Sequence, residues 1–138
     1  MDLGNPVLKL CQDGMRAEAE GRPAAARALF QQAWAARGDD YDACVAAHYL
    51  ARQQDDPAEV LRWNEEALRH ADGVGDDRVA AFYPSLYVGV AMAHERLGNR
   101  AAARAAYENA AGRGSALPAD SYGEQLRVAV AEGLRRLS

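Results

Sequence analysis

A fourteen-residue pattern recurs three times along this chain, and that recurrence constrains the fold more than any other feature. It first reads Glu20-Gly21-Arg22-Pro23-Ala24-Ala25-Ala26-Arg27-Ala28-Leu29-Phe30-Gln31-Gln32-Ala33. It returns as Gln54-Asp55-Asp56-Pro57-Ala58-Glu59-Val60-Leu61-Arg62-Trp63-Asn64-Glu65-Glu66-Ala67, then as Leu97-Gly98-Asn99-Arg100-Ala101-Ala102-Ala103-Arg104-Ala105-Ala106-Tyr107-Glu108-Asn109-Ala110. Ala33 to Ala67 is a step of 34 residues, and Ala67 to Ala110 is a step of 43. The nine extra residues fall around Ala71-Asp72-Gly73-Val74-Gly75-Asp76-Asp77. A unit of this length cannot bury its apolar face alone, so neighbours must stack and share a core.

The units read as helices. Alanine supplies 31 of the 138 residues, and it has the best intrinsic helix propensity. Asn5-Pro6 is a cap followed by proline at the first helical position, where its missing N–H costs nothing. Asp56-Pro57-Ala58-Glu59 repeats the device and adds glutamate at capping-box spacing. Asn99 is placed to cap the helix beginning near Arg100, and Ser121-Tyr122-Gly123-Glu124 is a further S-x-x-E box. These signals predict about seven helices, near 6–20, 23–37, 40–53, 57–71, 77–97, 100–113 and 120–137. Pro84 lies inside the fifth, which either kinks or begins there. The last carries an apolar stripe of Tyr122, Leu126, Val130, Leu134 and Leu137 with charges on its other faces, as a capping helix requires. The expected architecture is all-α and a single domain over 1–138. Its hairpins span about 5–37, 39–72 and 77–114, and its capping helix about 120–137.

The repeat resembles the tetratricopeptide family. There the second helix of each hairpin shows a small residue, an aromatic four later and a small residue three after that. Ala26, Phe30 and Ala33 match in the first repeat, and Ala103, Tyr107 and Ala110 in the third. The second repeat departs, with Val60, Asn64 and Ala67, so that Asn64 stands in the aromatic position. The family's small residue in the first helix matches Gly14 and Ala91, whereas His48 occupies that place in the second repeat. The resemblance covers roughly residues 5 to 116 and implies a right-handed superhelical stack. It also implies a concave face lined by the first helices, here Leu8, Cys11 and Met15, then Val45, Tyr49 and Arg52, then Val88, Met92 and Arg96. Of these, Met15, Tyr49, Arg52, Met92 and Arg96 are the candidate partner-binding residues. Methionine adapts to varied partners, and Tyr and Arg are common anchors. Met15, Val45, Val88 and Met92 read equally well as core if the helix phase is off by one. The groove lacks the lysines with which chaperone-binding members hold a C-terminal carboxylate.

Charge and composition narrow the function. A net charge of −4 argues against a nucleic-acid binder, which needs clustered positive charge. No apolar run approaches the roughly 18 residues of a membrane helix. Met1-Asp2-Leu3-Gly4-Asn5-Pro6 has an early acid and no long apolar run, unlike a secretory leader. Cys11 and Cys44 lie in apolar helical context far apart in sequence, as small buried hydrophobes do. A cytoplasmic location is expected, and the preference for Arg over Lys suggests a GC-rich bacterial genome. His48 and His94 both fall on first helices, which predicts a packed, hydrogen-bonded pair rather than a metal site. His94-Glu95-Arg96-Leu97-Gly98 lacks the second histidine of a zinc-protease motif, and no nucleophile elbow or phosphate loop is present.

The expected function is a non-enzymatic scaffold for a protein or peptide partner, without metal or cofactor. The alternative is a regulatory sensor of a small molecule or signalling peptide. A homodimer through an exposed edge of the stack is also compatible. Trp34, Trp63, Tyr83 and Tyr87 are further candidates for exposed contact residues. The insertion around 73–87, with its aromatic run Phe82-Tyr83-Pro84-Ser85-Leu86-Tyr87, would lengthen a helical arm or form a flap over the groove.

Overall fold

The structure, a computed structural model, describes residues 4–138. Met1, Asp2 and Leu3, part of the segment read above against a secretory leader, lie outside the described residues. The fold is all-α. Seven α-helices occur among the described residues: α1 (Pro6–Ala19), α2 (Pro23–Ala35), α3 (Asp40–Arg52), α4 (Pro57–Val74), α5 (Phe82–Arg96), α6 (Arg100–Gly112) and α7 (Ser121–Leu137). Short 3-10 turns at Asp77–Val79 and Gly114–Ala116 precede α5 and α7. No helix among the described residues is long and apolar enough to cross a membrane.

Side-chain caps fix several starts. Asn5 Oδ1 accepts from the amides of Val7 and Leu8, at 2.9 and 3.4 Å. Its Nδ2 donates to Asp42 Oδ1 at 2.7 Å, so one residue caps α1 and ties it to α3. Asp56 accepts from the Ala58 amide at 3.0 Å, as its sequence context predicts. Two expected caps are different. Asn99 makes no cap bond and contacts His94 Nδ1 through its side-chain amide at 3.2 Å. Asp120, not Ser121, caps α7 by accepting from the Gly123 amide at 2.9 Å. The Asp120 carboxylate, one residue earlier, thereby satisfies an orphan N–H of the first turn.

The long step between the second and third repeats extends α4 to Val74, where Gly75 at φ 67° ends it in the left-handed region open to glycine. The chain then makes a 3-10 turn, capped by Asp76 on the Arg78 amide at 3.0 Å, and α5 begins at Phe82 rather than near 77. Pro84 thus sits in the first turn of α5, where its missing N–H is no loss, and the helix is not interrupted there. The insertion's aromatic run is packed, not displayed. Tyr83, Pro84 and Leu86 are buried, Tyr83 donates to Asp72 Oδ1 at 2.7 Å, and the Arg113 guanidinium lies 3.9 Å over its ring. Arg78 lies 4.8 Å over the ring of Tyr41, placing this segment against the N-terminal end of α3.

The helices pair as α1/α2, α3/α4 and α5/α6, and the pairs join through α2–α3 and α4–α5, with α7 on α6 and α5. At two of the helix contacts an aromatic ring lies on a glycine. A Cβ on Gly14 would stand 2.8 Å from Phe30 Cδ1, and one on Gly133 would stand 2.5 Å from Tyr107 Cε2. Both rings are fully buried. The Tyr107 hydroxyl donates to Glu95 Oε1 at 2.6 Å, and Arg136 donates two bonds to the same carboxylate, at 2.9 and 3.1 Å. These bonds, Arg136 first, hold the Glu95 carboxyl below the usual carboxylate range. They fasten the end of α7 to α5 and α6. Cys11 and Cys44 are buried and free, and burial pushes both thiols up to about 12.

Candidate functional site

Where α4 meets α5, the layer that holds a ring elsewhere holds Asn64. Its side chain lies against Gly89, where a Cβ would meet Asn64 Nδ2 at 2.6 Å. Asparagine is far smaller than Phe30 or Tyr107, so the space between helices is not filled. An open pocket of about 210 Å³ lies beside it. Helix α3 contributes His48 and Arg52, α4 contributes Val60 and Asn64, and α5 contributes Ser85, Val88 and Met92. Leu126 of α7 closes the fourth side.

His48 is the most unusual of these groups. Its ring meets Tyr49 at 4.9 Å and Phe82 at 5.6 Å, both edge-to-face, and neither nitrogen has a hydrogen-bond partner among the described residues. Among the described residues no buried side-chain nitrogen or oxygen is left unsatisfied, so the imidazole nitrogens are open to solvent at the pocket. Desolvation, aided by the positive charge of Arg52, lowers its pKa to about 4. At neutral pH it is therefore an uncharged ring with one N–H donor and one lone-pair acceptor. Asn64 gives its Nδ2 to the Val60 carbonyl at 3.0 Å, which leaves Oδ1 as an acceptor. Arg52 is the only charged residue of the lining. Its guanidinium is half exposed and faces Glu18 at 3.5 Å.

The structure brings together some of the sequence-predicted site residues and separates others. Arg52 and Met92 line the same pocket, and Met92 is 44% exposed. Tyr49 is beside it, stacked on Phe30 at 5.1 Å with an interplanar angle of 11°. Met15 does not reach the pocket; it packs on the core cluster that includes Leu8, Cys11 and Val45. Those three are buried core residues rather than groove lining, because they pack with Ala26, Phe30 and Ala33 of α2 where α1, α2 and α3 meet. Arg96 also lies elsewhere, donating to the Asp55 carbonyl at 2.7 Å across the turns of two hairpins.

The expected histidine pair does not form. His48 meets α5 at Phe82, whereas His94 lies twelve residues further along, roughly 18 Å at 1.5 Å per residue. His70 instead contacts Asp40 at 2.7 Å and Glu66 at 3.2 Å. Among the described residues no three His, Cys, Asp or Glu side chains are grouped to hold a metal. Trp34 and Trp63 pack edge-to-face on each other at 5.0 Å and are not free contact residues.

Among the pocket's other members, His48, Asn64, Ser85 and Leu126 were not singled out as groove lining. A signal for two of them existed: His48 and Asn64 are the residues that break the repeat pattern. Leu126 had none, since only the docking of α7 brings it there. Comparison with family models, curated proteins and solved structures returned no match for this chain.

Proposed function

We propose that this chain is a non-enzymatic scaffold of the tetratricopeptide type, which holds a peptide segment of a partner protein in the groove between α3, α5 and α7. The observation that supports this reading is the unfilled pocket at Asn64, open to solvent and rimmed by the exposed apolar side chain of Met92. Core layers elsewhere in the chain are closed by a ring, so an empty one exposes apolar surface whose burial a ligand would recover. A cytoplasmic setting accords with two buried, unpaired thiols.

The test is selection of a random peptide library displayed on phage against the immobilised chain. Selected peptides should lose binding to Met92→Glu and to Ser85→Leu, which respectively charge the rim and fill the pocket. Peptides indifferent to both substitutions would rule out the groove.

A second reading, a sensor of a small ligand, draws on the imidazole of His48, whose nitrogens bond to no side chain or backbone group among the described residues. A thermal-shift screen with metabolites tests it: stabilisation lost in Ser85→Leu would favour the sensor.

A further inference from the structure

His48 and Asn64 both depart from the repeat pattern, and they line one pocket. Departures from local consistency concentrate at functional sites, and here two of them meet in space although 16 positions apart. From this convergence, and resting on the peptide-groove reading above, we propose that the pocket seats a single tyrosine side chain of the partner segment, with a neighbouring acidic residue paired to Arg52.

Size selects a side chain over a metabolite. The pocket's volume of about 210 Å³ falls below the roughly 300–1,000 Å³ of small-molecule sites. That is the scale of one aromatic ring with its substituent, since a cavity of about 150 Å³ holds benzene. Val60, Val88, Met92 and Leu126 offer the ring apolar walls. Methionine's flexible thioether, exposed at the rim, is suited to close over a flat face.

Polarity selects tyrosine over other bulky side chains. A purely hydrocarbon side chain would strip water from the His48 nitrogens and from Asn64 Oδ1 without replacing the lost hydrogen bonds, which is unfavourable. A phenol both donates and accepts. It can give its proton to the imidazole lone pair or to Asn64 Oδ1, or take one from the imidazole N–H. A lysine or arginine would bring its charge beside Arg52, the lining's only charged residue.

Charge selects the neighbour. Arg52 is the lining's only charged side chain, and its present partner Glu18 lies outside the lining at 3.5 Å, a partly exposed pair of the kind worth little. A partner carboxylate would meet the planar guanidinium with two parallel bonds.

The library selection is extended to test this. Enriched peptides are expected to share a tyrosine with Asp or Glu within two positions. In fluorescence polarisation with the labelled consensus peptide, Tyr→Phe in the peptide should weaken binding about tenfold, 1.4 kcal/mol. That preference should vanish in His48→Leu. Arg52→Gln should weaken the acidic peptide several-fold and leave its amide counterpart unchanged. Circular dichroism melts verify that each variant folds, and Asn64→Ala reads the same hydrogen bond should His48→Leu not fold. Groove-dependent peptides without tyrosine, or equal binding of Tyr and Phe peptides, would overturn the tyrosine assignment while the groove reading stands. Peptides unaffected by Met92→Glu and Ser85→Leu, or no enrichment at all, would overturn both.

Discussion

Gly133→Ala should destabilise the chain, although the same change in an exposed helix would stabilise it. A Cβ at this position would stand 2.5 and 2.6 Å from Cε2 and Cε1 of Tyr107, about 1 Å inside the optimum of ~3.5–4.0 Å for carbon pairs. The ring has nowhere to go. It is fully buried, and its hydroxyl is held by Glu95 at 2.6 Å and by Arg136 at 3.2 Å. Overpacking of this kind costs about 1–3 kcal/mol, and loosening a hydrogen bond to a charged group adds ~1.5–3 kcal/mol. Replacing glycine by alanine in a helix returns about 1 kcal/mol. The net expectation is a loss of about 2–4 kcal/mol in urea unfolding followed by circular dichroism. In a Tyr107→Leu background the clash with the ring edge is gone, and the cost of Gly133→Ala should fall by at least half. Gly112→Ala, with nothing near its Cβ, is the control and should gain about 0.5 kcal/mol. A neutral or stabilising Gly133→Ala in the native background would refute the docking of α7 on Tyr107.

Other consequences are equally direct. His48, with its pKa lowered from 6.5 to about 4, takes up its proton more readily in the unfolded chain. Its contribution to stability is therefore present above pH 6.5 and lost as pH falls toward 4, by up to about 3 kcal/mol. His48→Gln should remove that part of the acid dependence, and an unchanged pH slope between 6.5 and 4 would contradict it. Asn5→Ala removes both the α1 cap and the bond to Asp42, for a loss of about 2 kcal/mol in thermal or urea unfolding. Tyr107→Phe deprives Glu95 of a hydrogen bond to its ionised form, so the Glu95 pKa should rise in carbon-detected NMR titration.

Much of the fold was legible because it is written in local chemistry. Asn5-Pro6 and Asp56-Pro57 mark helix starts by their own side chains, and the structure places α1 and α4 there. The start of α5 was obscured because Asp76-Asp77 reads as a cap, yet it caps only a 3-10 turn before the chain turns into Phe82. The groove was harder to read. Leu8 and Cys11 lie on α1, which contributes nothing to the pocket, and Val45 on α3 is buried in the core; a phase error of one residue, about 100°, decides between core and surface. Arg96 and Arg52 look alike in sequence, but the tertiary fold gives Arg96 a backbone carbonyl in the adjacent turn. His48 and Asn64 were visible as breaks in the pattern. Their meeting in one pocket depends on the packing of α3, α4 and α5, which no periodicity encodes.

Methionine methyl NMR tests peptide binding in the groove most directly. The chain has three methionines, of which Met92 lines the pocket and Met15 packs in the α1–α3 cluster. With carbon-13 methyl labels, titration of a library-selected peptide should shift the Met92 signal and leave Met15 in place. Saturable binding that moves Met15 and leaves Met92 unperturbed would contradict the groove as the binding surface.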